Sequence, residues 1–201
     1  MSGELNSQLI MPLGYAGRIV RAGHPVLHRP AAAITDLKSA ESKALAAVML
    51  DHMAEANGVG LAAPQIGIGL RAIVFWVPRE RIAPEEMAAT EDADEDSESV
   101  HILYNPKFTP LGDQMEAGIE GCLSIPDICG MVTRYYGIRY SGYDLNGNWR
   151  EREAYGYHAR IVQHEIDHLD GILYPSRMTE LSTLVYNDEL AAARESRADP
   201  S

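Results

Sequence analysis

The chain has 201 residues, 46% of them hydrophobic and 23% charged, with a formal net charge of −12. That length and apolar content suit a single globular domain, residues 1–201, with its own core. The acidic balance argues against a basic surface for nucleic acid or anionic lipid, two cysteines are too few for a disulfide framework, and no run of about 18 apolar residues offers a membrane span.

Residues 1–17 read as a flexible or loosely docked lead-in. Met1 to Ile10 lack the charged start and long apolar run of a secretory signal, and no arginine precedes Arg18, unlike a transit sequence. A cytoplasmic protein is the expectation. Arg18-Ile19-Val20 is a short candidate strand, with extended segments around Gly23-His24-Pro25 and Arg29-Pro30. Between Asp36 and Asn57, Leu37, Leu45, Val48, Met49, Met53 and Ala56 recur at helical spacing, with Thr35 or Asp36 as N-cap and Gly58 as the stop. His24, His28 and His52 stand alone and read as surface or core residues rather than metal ligands.

Gly58-Val59-Gly60-Leu61-Ala62-Ala63-Pro64-Gln65 follows. Its two glycines would let a ligand's backbone approach, but it lacks the pattern of a phosphate loop. Arg71 to Val77 reads as a buried strand. Residues 79–99 crowd Glu85, Glu86, Glu91, Asp92, Asp94, Glu95, Asp96 and Glu98 into a stretch almost without apolar residues, so a solvated acidic insertion loop is predicted. Strands resume at Val100 to Tyr104, so this is no domain boundary.

Another strand is expected from Gln114 to Glu120, running into Gly121-Cys122-Leu123-Ser124. Ile138 to Tyr143 and Trp149 to Tyr155 flank Asn146-Gly147, a signal for a type I′ hairpin turn. A helix should begin near Gly156 and stop at Gly171. The tail, residues 179–201, offers Leu181, Leu184, Val185 and Leu190 to a short terminal helix.

That central helix holds His164-Glu165-Ile166-Asp167-His168, an H-E-x-x-H pattern. Residues four apart share a helix face, so both imidazoles can reach one metal ion while the glutamate reaches a water on it. Two ligands leave a tetrahedral site unfinished. In the extended metallopeptidase pattern the third ligand would fall at Tyr174, which is not a histidine. A thermolysin-like arrangement would take Asp188 or Glu189, and spacing leaves that open. Cys122 is the better donor chemically, being a soft thiolate between Gly121 and a turn. Cys129 reads as a bystander.

Gly58 to Gln65, Glu120-Gly121-Cys122-Leu123-Ser124 and His164 to Gly171 together resemble peptide deformylases, in order and spacing, over about Arg18 to Met178. Departures are a longer acidic insertion, Thr133 where a proline is frequent, and a C-terminal tail of mixed charge. The resemblance implies an α+β fold, with antiparallel and mixed sheets wrapped around the H-E-x-x-H helix. It implies that Cys122, His164 and His168 hold one divalent ion, Fe²⁺ in this family, replaceable by Ni²⁺, Co²⁺ or Zn²⁺. The implied reaction is removal of the N-formyl group from the initiating methionine of nascent polypeptides. Glu165 would carry the proton, while the Gln65 amide and the Leu123 N–H would stabilise the oxyanion. Backbone at Val59, Gly60 and Gly121 would pair with the peptide, and Val59, Ile161, Glu120 and Tyr157 would surround the methionine side chain. Arg134 would pair with Asp167 or Glu120. Ribosome contact would be transient. The alternatives are an H-E-x-x-H metallopeptidase and a non-catalytic deformylase-like binding protein.

Overall fold

The computed structural model describes residues 2–82 and 99–198. Among these, two antiparallel sheets enclose a buried helix. Strands β1 (Gly60–Ala62), β2 (Ala72–Phe75), β3 (His101–Pro110), β6 (Gly137–Tyr143) and β7 (Trp149–Tyr155) make a five-stranded sheet in the order β1-β2-β3-β6-β7. Strands β4 (Met115–Cys122), β5 (Ile125–Tyr135) and β8 (Val185–Tyr186) make the second, in the order β4-β5-β8. The expected α+β class is found. β1 and β4 are therefore both sheet edges, a point that bears on the site.

Helix α1 spans Ser2–Ile10, α2 spans Ala40–Glu55, α3 spans Gly156–Leu169, and α4 spans Asn187–Ala198. The first of these corrects the reading of residues 1–17 as a loose lead-in. Ile10 is fully buried in the core cluster that holds Leu45, Val48 and Met49 of α2. Arg18 to Val20 form no strand, although the Val20 N–H donates to the Gln65 carbonyl at 2.8 Å. Helix α2 starts later than predicted. Ser39 caps it by accepting from the Ser42 N–H at 3.0 Å, whereas Asp36 spends its carboxylate on the Lys38 N–H.

The β6–β7 hairpin has the expected strands but a different turn. Of the Asn146-Gly147 pair only Gly147 takes a positive φ, 74°. Asp144 Oδ1 accepts from the N–H groups of Asn146 and Asn148, each at 2.9 Å, and builds a longer loop instead of type I′. The predicted terminal helix begins only at Asn187, because Val185 and Tyr186 pair with Cys129 and Ile128 as β8. Apart from the Arg79–Arg81 turn, the acidic insertion falls largely outside the described residues. No helix among the described residues is long and apolar enough to cross a membrane.

Helix α3 begins at Gly156 and ends as the sequence suggests. Gly171 takes φ 75°, the Ile172 N–H donates to the Asp167 carbonyl at 2.8 Å, and the Gly171 N–H to the His168 carbonyl at 3.3 Å. That is a Schellman closure. Ala159, Val162, Ile166 and Leu169 bury one face of α3 against Ile73, Phe75, Leu103 and Ile138 of the five-stranded sheet. The opposite face meets β4 and β5.

Candidate active site

On that opposite face, α3 presents His164, Glu165 and His168. Across from them β4 ends in an irregularity: the register shifts between Gly121 and Cys122, so that Cys122 pairs with Ile125 across the Leu123-Ser124 turn. The shift brings the thiol to the helix. One donor atom from each of Cys122, His164 and His168 lies within 4.8 Å of the others, and Cys122 Sγ stands 3.3 Å from His168 Nε2. Among the described residues this is the one group of three or more Cys, His, Asp or Glu side chains that could hold a metal ion. Asp188 and Glu189 sit exposed in the first turn of α4 and do not belong to it. Tyr174 is buried, donates its hydroxyl to the Ile128 carbonyl at 3.3 Å, and stacks on His164 with centroids 6.4 Å apart.

The donor set fits a divalent ion. One thiolate and two imidazoles leave a fourth position open, as catalytic sites require. Glu165 Oε2 and His168 Nδ1 are buried without a hydrogen-bond partner, as expected where polar groups await a bound ion, water or substrate. Burial pulls the His168 imidazole well below its ordinary value, which favours the neutral form that can ligate.

Glu120 holds the other imidazole. Its Oε2 lies 2.9 Å from His164 Nδ1, which leaves Nε2 for ligation. Arg134 donates to both Glu120 oxygens at 2.9 Å and also to Asp167; Arg160 adds a third donor to Glu120 at 2.9 Å. Burial alone would push the Glu120 carboxyl up, but the bonds from Arg134 and His164 outweigh it and hold it far below the usual carboxylate range. Arg134 thus meets both of its anticipated partners, and Arg177 closes the cluster on Asp167 at 2.7 Å.

Glu165 has no such partners. Burial, opposed by His164, raises its carboxyl to about 7, near where a group that both takes and returns a proton works best. The glycines of Gly58-Val59-Gly60 line the cleft and also make room beside it. A Cβ on Gly60 would lie 2.3 Å from Glu165 Oε1, and one on Gly58 would lie 2.9 Å from Leu123 Cδ1. Their missing side chains make room for Glu165 and Leu123. Gln65 follows β1 in a short turn, Ala63–Ile66. Its Oε1 accepts from the Ala62 N–H at 2.8 Å, which fixes the amide so that Nε2 points to Cys122 Sγ at 3.6 Å and Ser124 Oγ at 3.3 Å.

A cleft of about 550 Å³ opens over this group. Val59, Gly60, Gln65, Glu120, Gly121, Cys122, Leu123, Tyr157, Ile161, His164 and Glu165 all line it, whereas His168 lies beneath. The Arg81 guanidinium stands 5.2 Å over the Tyr157 ring and donates to its hydroxyl at 2.9 Å. Arg160, Arg177 and Gly118 were missed by sequence reasoning, and Ser124 was read only as part of the Glu120 to Ser124 segment. Only Arg160 carried a signal, being one turn before His164 on the same helix.

A family model described as polypeptide deformylase matches residues 16–183. The chain is 45% identical over 181 residues to peptide deformylase 1 of Bordetella pertussis, covering 90% of this chain and 98% of that one. It is 44% identical over 174 residues to peptide deformylase 1 of Nitrosomonas europaea, covering 86% and 93%. Among solved structures, the Met-Ala-Ser-bound class I type b peptide deformylase of Acinetobacter baumannii matches with a TM-score of 0.68 at 34% identity, over 80% of this chain and 96% of that one. The enzyme of Ehrlichia chaffeensis matches with a TM-score of 0.71 at 26% identity, over 91% and 97%. Sequence and fold thus agree along nearly the whole length of these relatives, and the chain belongs to the peptide deformylases, metal-dependent hydrolases that remove the N-formyl group from nascent polypeptides.

Proposed function

We propose how this chain divides the work of deformylation among its residues. Cys122, His164 and His168 hold the ion, and Fe²⁺ is the resident metal by family resemblance, with Ni²⁺, Co²⁺ or Zn²⁺ able to replace it. When bound, the ion supplies Lewis acidity, lowering the pKa of a coordinated water and polarising the formyl oxygen. Glu165 takes a proton from the attacking water and returns it to the leaving amine. The observation that carries this role is its buried, unpartnered Oε2, in the same cleft as Cys122 and His164. The Gln65 Nε2–H and the Leu123 backbone N–H stabilise the oxyanion, and the Gln65 orientation held by Ala62 supports that assignment.

The peptide binds extended between the free edges of β1 and β4, through backbone at Val59, Gly60 and Gly121. Support comes from topology, since both strands are sheet edges and both line the cleft. The methionine side chain lies among Val59, Ile161, Tyr157 and the stem of Glu120. The enzyme works in the cytoplasm on N-formylmethionyl nascent chains. Any ribosome contact is transient and does not use a uniformly basic α4, whose first turn carries Asp188 and Glu189.

The test is formate release from an N-formyl-methionyl peptide by anaerobically purified protein loaded with Fe²⁺ or Ni²⁺, beside Glu165→Gln. The rate should fall roughly 10²–10⁴-fold in the variant while bound metal is unchanged. A variant that keeps its rate would sink the role of Glu165.

A further inference from the structure

One buried charge in the cleft is not used by these steps. Arg160 is only 6% exposed, yet it lines the cavity. Its Nη1 donates to Glu120 Oε1 at 2.9 Å and to the Val132 carbonyl at 2.8 Å, and its Nη2 to the Glu116 carbonyl at 2.8 Å. The Glu116 carboxylate, 3.9 Å from Nη2, is beyond hydrogen-bond range. A guanidinium carries five N–H donors. Nε–H and the second Nη2–H therefore have no acceptor among the described residues. Gly118 makes the space: a Cβ there would come within 2.7 Å of Cζ and 2.8 Å of Nε and Nη2.

We propose that Arg160 is a specificity-determining residue that reads the thioether sulfur of the formylmethionine side chain. This rests on the site reading above, in which the formyl carbon reacts beside His164 and Glu165. In formylmethionine the sulfur is five bonds from that carbon, roughly 6 Å when extended. Arg160 precedes His164 by four residues, about 6 Å along the axis, which matches the reach of the sulfur, and both residues line the cleft. Ile161 and Tyr157 line the same stretch and pack the methylenes. A thioether sulfur is a weak acceptor and can take an uncommitted N–H. Norleucine has nearly the same shape with a methylene instead, and it would leave a buried cationic donor facing hydrocarbon. A purely apolar pocket would treat the two alike.

The experiment compares kcat/KM for formyl-Met-Ala-Ser and formyl-norleucyl-Ala-Ser in the wild type, Arg160→Met and Gly118→Ala. Binding of the deformylated tripeptides is followed by calorimetry as a readout that needs no turnover. The wild type should favour methionine by about tenfold, the scale of one hydrogen bond to a charged donor. Arg160→Met should bring the ratio to near one without raising KM for the norleucine peptide. Gly118→Ala, which keeps the arginine but displaces it, should fall between. A wild-type ratio near one overturns the proposal with no variant required, as does a wild-type ratio that survives in Arg160→Met. Failure of the metal-loaded wild type to release formate from either peptide would overturn the site reading instead.

Discussion

Helix α3 is buried on two faces of opposite chemistry. Ala159, Val162, Ile166 and Leu169 meet an apolar sheet, whereas Arg160, Gln163, His164 and Asp167 meet backbone carbonyls and charged side chains of β4 and β5. The apolar face gains stability from every side chain it removes from water. The polar face must offset the desolvation of Glu120, Asp167, Arg134 and Arg160, and buried ion pairs of this kind are seldom a net gain over hydrocarbon. What they provide here is direction. Glu120 can hold His164 Nδ1 only while it stays ionised inside the protein, and Arg134 and Arg160 keep it so.

The contrast can be broken at either face. The largest loss is expected from Arg134→Met, which takes two hydrogen bonds from buried Glu120 and one from buried Asp167, leaving each carboxylate a single arginine, and should cost about 3–5 kcal/mol in urea unfolding. A loss under about 1 kcal/mol would mean that the cluster is solvated. On the apolar face, Ile73→Ala should cost about 2–5 kcal/mol yet leave metal affinity where it was. Chelator competition checks that second half, and weakened metal binding in this variant would erase the division of labour between the faces. Glu120→Gln sharpens the comparison, since it removes the negative charge beside His164 Nδ1 while nearly preserving volume. Metal affinity should drop about 10–100-fold, read by the same competition.

The smallest effect concerns acid. His158 packs by Phe75 and Tyr140, and burial, with the charges of His101 and Arg152, pulls its imidazole down to about 3. The unfolded chain binds this proton near pH 6.5, so the native state carries no penalty above that pH and a growing one below it, down to about 3. His158→Phe should therefore recover up to about 2 kcal/mol at pH 5 and nothing at pH 8. Equal stability changes at both pH values would show that the imidazole is not buried neutral.

The features that sequence determined by itself are those set by neighbours a few residues apart. The H-E-x-x-H spacing puts two imidazoles on one face of any helix, and Gly171 can close that helix because glycine accepts its φ of 75°. The strands on either side of Asn146-Gly147 were likewise legible, though not the turn, since Asp144 captured two N–H groups that a type I′ geometry would leave free. Tertiary structure decided the rest. Spacing left the third candidate ligand open between Cys122 and Asp188 or Glu189. What brings Cys122 to α3 is the register shift at the end of β4, while Glu189 is carried away on α4. The fit of Arg160 over Gly118, the grip of Glu120 on His164 and the docking of Ile10 against α2 join residues some 35 to 45 apart in the chain. No local hydrogen-bonding rule reaches so far; such contacts exist only once two sheets have closed on one helix and excluded the water that would otherwise satisfy these groups.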